Sequence, residues 1–224
     1  MVLEFIGKRM GINRYALVSS SNVARDCFLV CCVCLLLMQA CSDSPELNKI
    51  PQDGVILAFG DSLTVGVGAS EQHSYPQVLS MLSGRKVISA GVSGEETSGG
   101  VKRLPAVLDE VRPNLLILRQ GGNDILRNRN LHQAKQNLAN MIENASSRSI
   151  DVVLIGVPEK KLFSDSAPFY QELADEYALV YSDDILSDLI RKNEYKSDAV
   201  HLNQKGYYMM AESIFELLVE HGAL

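Results

Sequence analysis

The chain has 224 residues, enough for one domain or for one domain with an appendage. Its residues are 46% hydrophobic and 21% charged, which is typical of a soluble core with a solvated surface. A formal net charge of −6 argues against nucleic acid as the main partner. All five cysteines fall within the first 41 residues, which excludes a disulfide framework, a zinc ribbon and a cysteine nucleophile from the remaining chain.

The first 40 residues have the pattern of a secretory signal. Residues 27–38 form an uninterrupted apolar run of 12, shorter than the ~20 residues that a spanning helix needs. A net positive segment precedes this run, and Ala40 and Cys41 follow it. The segment resembles a bacterial lipoprotein signal, which implies cleavage before Cys41 and lipidation of that cysteine. The alternatives are an uncleaved anchor or an ordinary signal peptide, and Met10 is an alternative start.

The resemblance to a lipoprotein signal also predicts a location and a membrane partner. Ser42, directly after the cysteine, resembles the outer-membrane sorting pattern, so we expect an outer-membrane lipoprotein that faces the periplasm. The alternative is a soluble periplasmic or secreted protein. Residues 41–53 are polar, contain two prolines and are predicted to be a tether. Residues 41–224 carry 17 basic and 25 acidic residues, so the lipid would have to hold this acidic body at an anionic membrane.

From residue 54 to the end, short apolar runs alternate with amphipathic stretches. The runs have the length of strands buried on both faces, and they cover residues 54–60, 86–91, 114–120, 151–157 and, more weakly, 178–183. Helical spacing of apolar residues covers 131–145 and 204–221. This alternation predicts an α/β domain over residues 54–224, with a five-stranded parallel sheet between helices. The ligand site of such a sheet lies beyond the carboxyl ends of the strands.

A serine nucleophile needs a base within hydrogen-bond reach, and two loops offer these groups. Ser62 lies in the sequence Gly60-Asp61-Ser62-Leu63, directly after the first predicted strand, although this block alone favours a helix N-cap. His201 precedes the last predicted helix, and Asp198 could fold back to accept a hydrogen bond from its imidazole. Alternatively, Asp198 and His201 only prepare the helix that Asn203 caps.

Acyl transfer also needs donors that stabilise an oxyanion, and two further strand ends could supply them. Gly94 follows the second strand and allows a backbone N–H to approach a ligand, while Asn123 follows the third strand in Gly-Gly-Asn-Asp. Both positions have a structural alternative, as a turn glycine and as a turn former. However, all of these loops share one edge of the predicted sheet.

Four sequence blocks resemble the signature of the SGNH (GDSL) hydrolase family and follow one another in the order of that family. They lie around Ser62, Gly94, Asn123 and Asp198–His201, and the resemblance covers residues 54–220. The sequence is most similar to bacterial arylesterases and multifunctional thioesterase/lysophospholipases. The resemblance implies a three-layer α/β/α, flavodoxin-like fold without cofactor or metal. It also implies that Ser62 is the nucleophile, that His201 is the general base and then acid, and that Asp198 orients it. The oxyanion hole would combine the N–H groups of Ser62 and Gly94 with the Asn123 amide.

We therefore expect a serine esterase that acts on a small ester or lipid. Its substrates would be aryl or short acyl esters or lysophospholipids, with acyl thioesters ranked lower. The alternatives are a carbohydrate O-acetylesterase of the cell envelope and a non-catalytic lipoprotein binding module. Two departures from the family pattern concern the acyl site: Arg119-Gln120 precedes the Gly-Gly-Asn-Asp block, and the loop at residues 157–169 carries two lysines.

Overall fold

The computed structural model describes residues 45–159 and 166–224. Its five strands are β1 (Val55–Gly60), β2 (Lys86–Gly91), β3 (Leu115–Arg119), β4 (Asp151–Ile155) and β5 (Val180–Ser182). The helices are α1 (Ser62–Val65), α2 (Tyr75–Ser83), α3 (Thr97–Val111), α4 (Gly122–Leu126), α5 (Leu131–Ser146), α6 (Pro168–Tyr177), α7 (Ile185–Arg191) and α8 (Gln204–Glu220). Two short 3₁₀ turns cover Glu71–His73 and Asn193–Tyr195.

The sheet confirms the predicted parallel arrangement of five strands. Its strand order is β2-β1-β3-β4-β5, and every neighbouring pair is parallel. The chain passes from β1 to β2 on one side and then crosses to β3 on the other side of β1. The carboxyl ends of β1 and β3 therefore border the crevice in which open α/β sheets bind ligands. In the β1–β3 register, Gly60 lies opposite Arg119, so the loops that begin at residues 61 and 120 leave the sheet side by side.

The helices form two groups, and together with the sheet they enclose the core. Helix α8 contacts α2 and α7, whereas α5 contacts α3 and α6. Right-handed crossovers place α2 and α3 on opposite faces of the sheet, because the direction of strand addition reverses between them. The central strands are buried on both faces, which explains their continuous apolar runs. Both predicted helices are confirmed, and the apolar stripe of α8 is buried at Tyr207, Ala211, Ile214 and Leu218.

The described part of the predicted tether, residues 45–53, lies on the folded body. The Leu47 N–H donates to the His221 carbonyl (2.9 Å), and the Ile50 N–H donates to the Ala223 carbonyl (2.8 Å). The Ile50 side chain is only 1% exposed, so it contributes to the core. Polar composition suggested a free linker, but these hydrogen bonds attach the segment to the end of α8. Cys41 and the proposed signal lie outside the described residues.

Within residues 45–159 and 166–224, no helix combines the length and apolar character that crossing a bilayer requires.

Candidate active site

Ser62 is the first residue of α1, directly after the carboxyl end of β1. Asp61 caps this helix, because its carboxylate accepts a hydrogen bond from the Leu63 N–H (3.0 Å). The turn between strand and helix is tight. A Cβ atom at residue 60 would approach the Arg119 carbonyl oxygen to 2.5 Å, so glycine is required there. The cap explanation for this block is therefore correct for Asp61, while the Ser62 hydroxyl is directed toward His201.

His201 and Asp198 lie in the loop before α8 and meet Ser62 across the crevice. The distance from His201 Nε2 to Ser62 Oγ is 3.0 Å, and that from His201 Nδ1 to Asp198 Oδ2 is 2.7 Å. The second Asp198 oxygen accepts from the Val200 and His201 N–H groups, each at 2.8 Å. The hydrogen bonds from the Val200 N–H, then from the imidazole and then from the His201 N–H, lower the pKa of Asp198 to about 2.

These contacts determine the tautomer of the imidazole. Asp198 is ionised at neutral pH, so it can only accept a hydrogen bond, and Nδ1 of His201 must carry the proton. Nε2 is then free to accept from the Ser62 hydroxyl. Asn203 also caps α8, through a hydrogen bond from the Gly206 N–H (3.0 Å). The loop therefore both starts the helix and presents the histidine.

Gly94 lies in the loop between β2 and α3, with a left-handed φ of +76° that favours glycine. Its carbonyl accepts from Arg127 Nη1 (2.9 Å), which fixes the orientation of the loop. Among the described residues, the N–H groups of Ser62 and Gly94 have no hydrogen-bond acceptor. Two backbone donors are therefore available at this edge of the sheet.

Asn123 lies in α4, the short helix that follows β3, and contacts the Gly94 loop. Its Nδ2 donates to the Glu95 carbonyl (3.0 Å) and lies 3.4 Å from Asp61 Oδ2. The next residue, Asp124, is buried and accepts from both the backbone N–H (2.9 Å) and the hydroxyl (2.8 Å) of Thr97. These hydrogen bonds join α4 to the first turn of α3.

A cavity of about 800 Å³ opens beside these groups. Ser62, Asn123 and His201 line it together with Gly94. Its wall is largely apolar and includes Ile125, Leu126, Val157, Pro158, Leu186 and Ile190. The loop at 157–169 was predicted to shape this pocket; residues 157–159 line the cavity, and residues 160–165, including both lysines, lie outside the described residues. In the described ranges, no group of three His, Cys, Asp or Glu side chains could hold a metal ion.

Sequence reasoning did not find the buried polar contacts beneath this site. Arg119 was predicted to alter the wall of the acyl pocket. It does line the cavity, but its guanidinium donates to the Asp61 carboxylate. Glu95 similarly forms a bidentate ion pair with Arg103 and accepts from Gln120 (2.7 Å). Only the strand register could have indicated the first pair, since it places Arg119 opposite Gly60.

Comparison with known protein families agrees with this arrangement of loops. The model of the GDSL-like lipase/acylhydrolase family matches residues 58–209, which include every proposed site residue of the folded body. The chain belongs to the GDSL-like lipase/acylhydrolase family. It is accordingly an enzyme, an SGNH-type ester hydrolase.

Relatives within the GDSL-like family include two bacterial esterases. The arylesterase of Vibrio mimicus is 30% identical over 177 residues, which are 74% of this chain and 88% of that protein. Esterase TesA of Pseudomonas aeruginosa is 32% identical over 127 residues, which are 54% of this chain and 63% of TesA. The alignment therefore spans less than two thirds of TesA.

A solved structure of the same family has the same fold. AlinE4, an SGNH-hydrolase family esterase, superposes with a TM-score of 0.59 at 29% identity, covering 77% of this chain and 98% of AlinE4. The three-layer α/β fold with five parallel strands is therefore confirmed for this chain.

Proposed function

We propose that this GDSL-family chain hydrolyses carboxylic esters through an acyl-enzyme formed on Ser62. The observation that carries the proposal is the continuous chain of hydrogen bonds from Ser62 Oγ to His201 (3.0 Å) and from His201 to Asp198 (2.7 Å). A serine hydroxyl is a weak nucleophile at neutral pH, and an oriented imidazole is the group that activates it. The largely apolar cavity beside Ser62 provides space for the acyl group.

The reaction follows from these positions in two steps. His201 Nε2 removes the Ser62 proton as Oγ attacks the ester carbonyl, and Asp198 stabilises the imidazolium that forms. The imidazolium then donates its proton to the leaving alcohol as the C–O bond breaks, which leaves an acyl ester on Ser62. Water repeats the attack with His201 as the base, releases the carboxylic acid and restores the Ser62 hydroxyl.

The charge that develops on the carbonyl oxygen needs donors that are already in place. We assign this role to the N–H groups of Ser62 and Gly94 and to the amide of Asn123. Both N–H groups lack acceptors among the described residues, which supports the assignment. The Asn123 amide has two N–H bonds; the Glu95 carbonyl takes one, and only a long 3.4 Å contact to Asp61 competes for the other.

The cavity and the relatives favour aryl esters, short acyl esters or lysophospholipids as substrates. An apolar wall contacts an acyl chain or an aromatic ring favourably. The relatives named arylesterase and esterase point to the same chemistry. Thioesters rank lower, because an enzyme in the cell envelope would meet little cytosolic acyl-CoA.

The test is hydrolysis of a panel of p-nitrophenyl esters, lysophosphatidylcholine and acetylated sugars by residues 42–224. We expect p-nitrophenyl ester or lysophospholipid turnover, and a loss of at least ~10³-fold in Ser62→Ala. Ser98→Ala is the matched control, because Ser98 is exposed on α3. A fluorophosphonate should label the wild type and Ser98→Ala but not Ser62→Ala. Undiminished turnover by Ser62→Ala would refute the mechanism, and preference for acetylated sugars would favour an O-acetylesterase.

We also propose that residues 1–40 are a signal peptide and that acylated Cys41 holds the enzyme in the cell envelope. The apolar run of 12 residues that ends just before Ala40-Cys41 supports this proposal. Two or more acyl chains hold a protein firmly at a bilayer. Metabolic labelling with palmitate should mark the wild type and not Cys41→Ala. Equal labelling of both proteins would show that Cys41 is not the site, and no labelling of either would favour a soluble periplasmic or secreted enzyme.

A further inference from the structure

A buried ion pair lines the same cavity as the proposed oxyanion hole. Arg119 ends β3, Asp61 precedes Ser62, and their side chains are only 1% and 4% exposed. The β1–β3 register brings them together, because Arg119 lies opposite Gly60, the residue before Asp61. The Arg119 guanidinium donates to Asp61 Oδ1, and both residues line the cavity that contains Ser62.

The Asp61 carboxylate contacts both α1, which carries the Ser62 N–H, and the side chain of Asn123. Its Oδ1 holds the first turn of α1 by accepting from the Leu63 N–H at 3.0 Å, and the Ser62 N–H is in that turn. Its Oδ2 is 3.4 Å from Nδ2 of Asn123. An uncompensated anion at this position would repel the negative charge that develops on the carbonyl oxygen. It would also draw the Asn123 amide away from the substrate.

Arg119 removes both effects by neutralising Asp61 and by holding its carboxylate. Burial lowers the pKa of Arg119 to about 10, which leaves the guanidinium charged at neutral pH. Stability alone does not explain this arrangement, because well-packed apolar residues are often as stable as a buried ion pair. Within the described residues, Arg119 Nε is buried without a partner, a further cost to folding. The pair is therefore better explained by its position next to the reacting atoms.

We propose that Arg119 is a positioning residue for the oxyanion hole, acting through Asp61 on the Ser62 N–H and the Asn123 amide. The proposal rests on the esterase function proposed above. Because the repulsion that Arg119 cancels acts on charge that exists only in the transition state, loss of Arg119 lowers kcat and leaves KM nearly unchanged. The loss of Arg119 and the loss of the Asp61 charge are also expected to have unequal effects on kcat. Removing Arg119 leaves an anion beside the oxyanion, whereas removing the charge of Asp61 leaves a cation there.

This inequality provides the test, with kcat and KM measured on a p-nitrophenyl ester. We expect Arg119→Met to lower kcat by at least about 30-fold with KM changed by less than about 3-fold. Asp61→Asn keeps a helix-capping oxygen and is expected to lower kcat by less than about 5-fold. The double variant, Asp61→Asn with Arg119→Met, should have a kcat at least about 5-fold above that of Arg119→Met, because it lacks the uncompensated anion. Arg148→Met is the matched control, since Arg148 pairs with Asp109 at the surface.

The outcomes separate positioning from a purely structural ion pair. Equal losses of kcat in Arg119→Met and Asp61→Asn, or no recovery in the double variant, would overturn the proposal. If Arg119→Met does not fold, Arg119→Lys is expected to keep kcat within about 5-fold of the wild type and above that of Arg119→Gln. The rate at which a fluorophosphonate labels Ser62 should follow the same order in every variant. This second measurement needs no ester substrate, so it tests Arg119 even where the wild type hydrolyses no ester in the panel.

Discussion

Two parts of the site are held in different ways: the base loop, residues 196–203, and the oxyanion loops, defined as residues 91–97 and as residues 120–127 with the short helix α4. In the base loop, Asp198 accepts from two backbone N–H groups no more than three residues away, and its side chain is 54% exposed. The oxyanion loops are joined by contacts between distant parts of the chain, such as Asp124 with Thr97 and Arg127 with Gly94. One half of the site is held by local contacts, and the other is held by long-range contacts that include the buried pair Asp124 and Thr97.

This difference implies that the two halves respond differently to mutation. The side chains of Asp198 and His201 are in contact with solvent, so their removal should affect the reaction and leave stability almost unchanged. A polar group of the oxyanion loops also connects α3 to α4, so its loss should affect stability as well. Substitution of Asp198 or His201 should therefore change activity alone, whereas substitution of a polar group in the oxyanion loops should change activity and stability together.

The largest effect is expected from His201→Ala. Without the imidazole, no base accepts the Ser62 proton, and kcat should fall by at least ~10³-fold. The melting temperature should remain within about 2 °C of the wild type, because the side chain belongs to the locally held loop. Steady-state kinetics and thermal unfolding measure the two quantities. His132→Ala, in an exposed position on α5, is the control. A large fall in melting temperature for His201→Ala alone would contradict the separation of chemistry from stability.

Asn123→Ala is expected to have the next largest effect on activity. Removal of one oxyanion donor typically lowers kcat by ~10²-fold or more. This variant should also lose about 1 kcal/mol of unfolding free energy, because the Glu95 carbonyl loses its donor at 3.0 Å. Kinetics on a p-nitrophenyl ester and urea denaturation test both parts, with Asn140→Ala on the exposed face of α5 as the control. A kcat within about 3-fold of the wild type would remove Asn123 from the oxyanion hole.

The parts of the molecule that were predictable are those in which a local pattern determines the structure. Strands buried on both faces require continuous apolar runs, so β1 to β4 could be placed to within two residues at each end. The parallel topology then places the loops after β1, β2 and β3 at one edge, which is why Ser62, Gly94 and Asn123 could be grouped without a structure.

The contacts that could not be predicted depend on register or on packing between distant segments. The pairing of Arg119 with Asp61 requires that β1 and β3 be neighbours and that Gly60 lie opposite Arg119, neither of which a single strand pattern specifies. Residues 45–50 were predicted to be part of a tether because they are mostly polar. Their backbone hydrogen bonds to the residues after α8 have no side-chain signature, so composition could not reveal them.

Asp124→Ala tests the coupled half of the site through stability. The substitution leaves the buried N–H and hydroxyl of Thr97 without their acceptor, and an unsatisfied buried polar group costs about 1–3 kcal/mol. We expect a loss of that size in the free energy of unfolding, measured by urea denaturation, and a smaller change in kcat than for Asn123→Ala. Asp53→Ala, at an exposed turn, is the control. Unchanged stability in Asp124→Ala would show that the oxyanion loops are held by other contacts.

The smallest effect is expected from protonation of Asp198, and it concerns the base loop alone. The pKa of this carboxyl is about 2 in the folded protein, below its ordinary value of 3.8, because the Val200 N–H, the imidazole and the His201 N–H stabilise the anion. Between these two values the unfolded chain binds a proton that the folded chain does not. The stability that Asp198 contributes is therefore fully present above about pH 4 and lost as the pH falls toward 2.

Comparison of the wild type with Asp198→Asn isolates this contribution, since other carboxylates titrate alike in both proteins. The difference in unfolding free energy between them, measured by urea denaturation, should shrink as the pH is lowered through this window. The change should be small, because the carboxylate is 54% exposed and solvent screens its charge. A difference that stays constant from pH 4 to pH 2 would mean that the loop hydrogen bonds do not favour the anion. Asp198 would then orient His201 without stabilising the base loop, and other contacts would have to hold this loop in place.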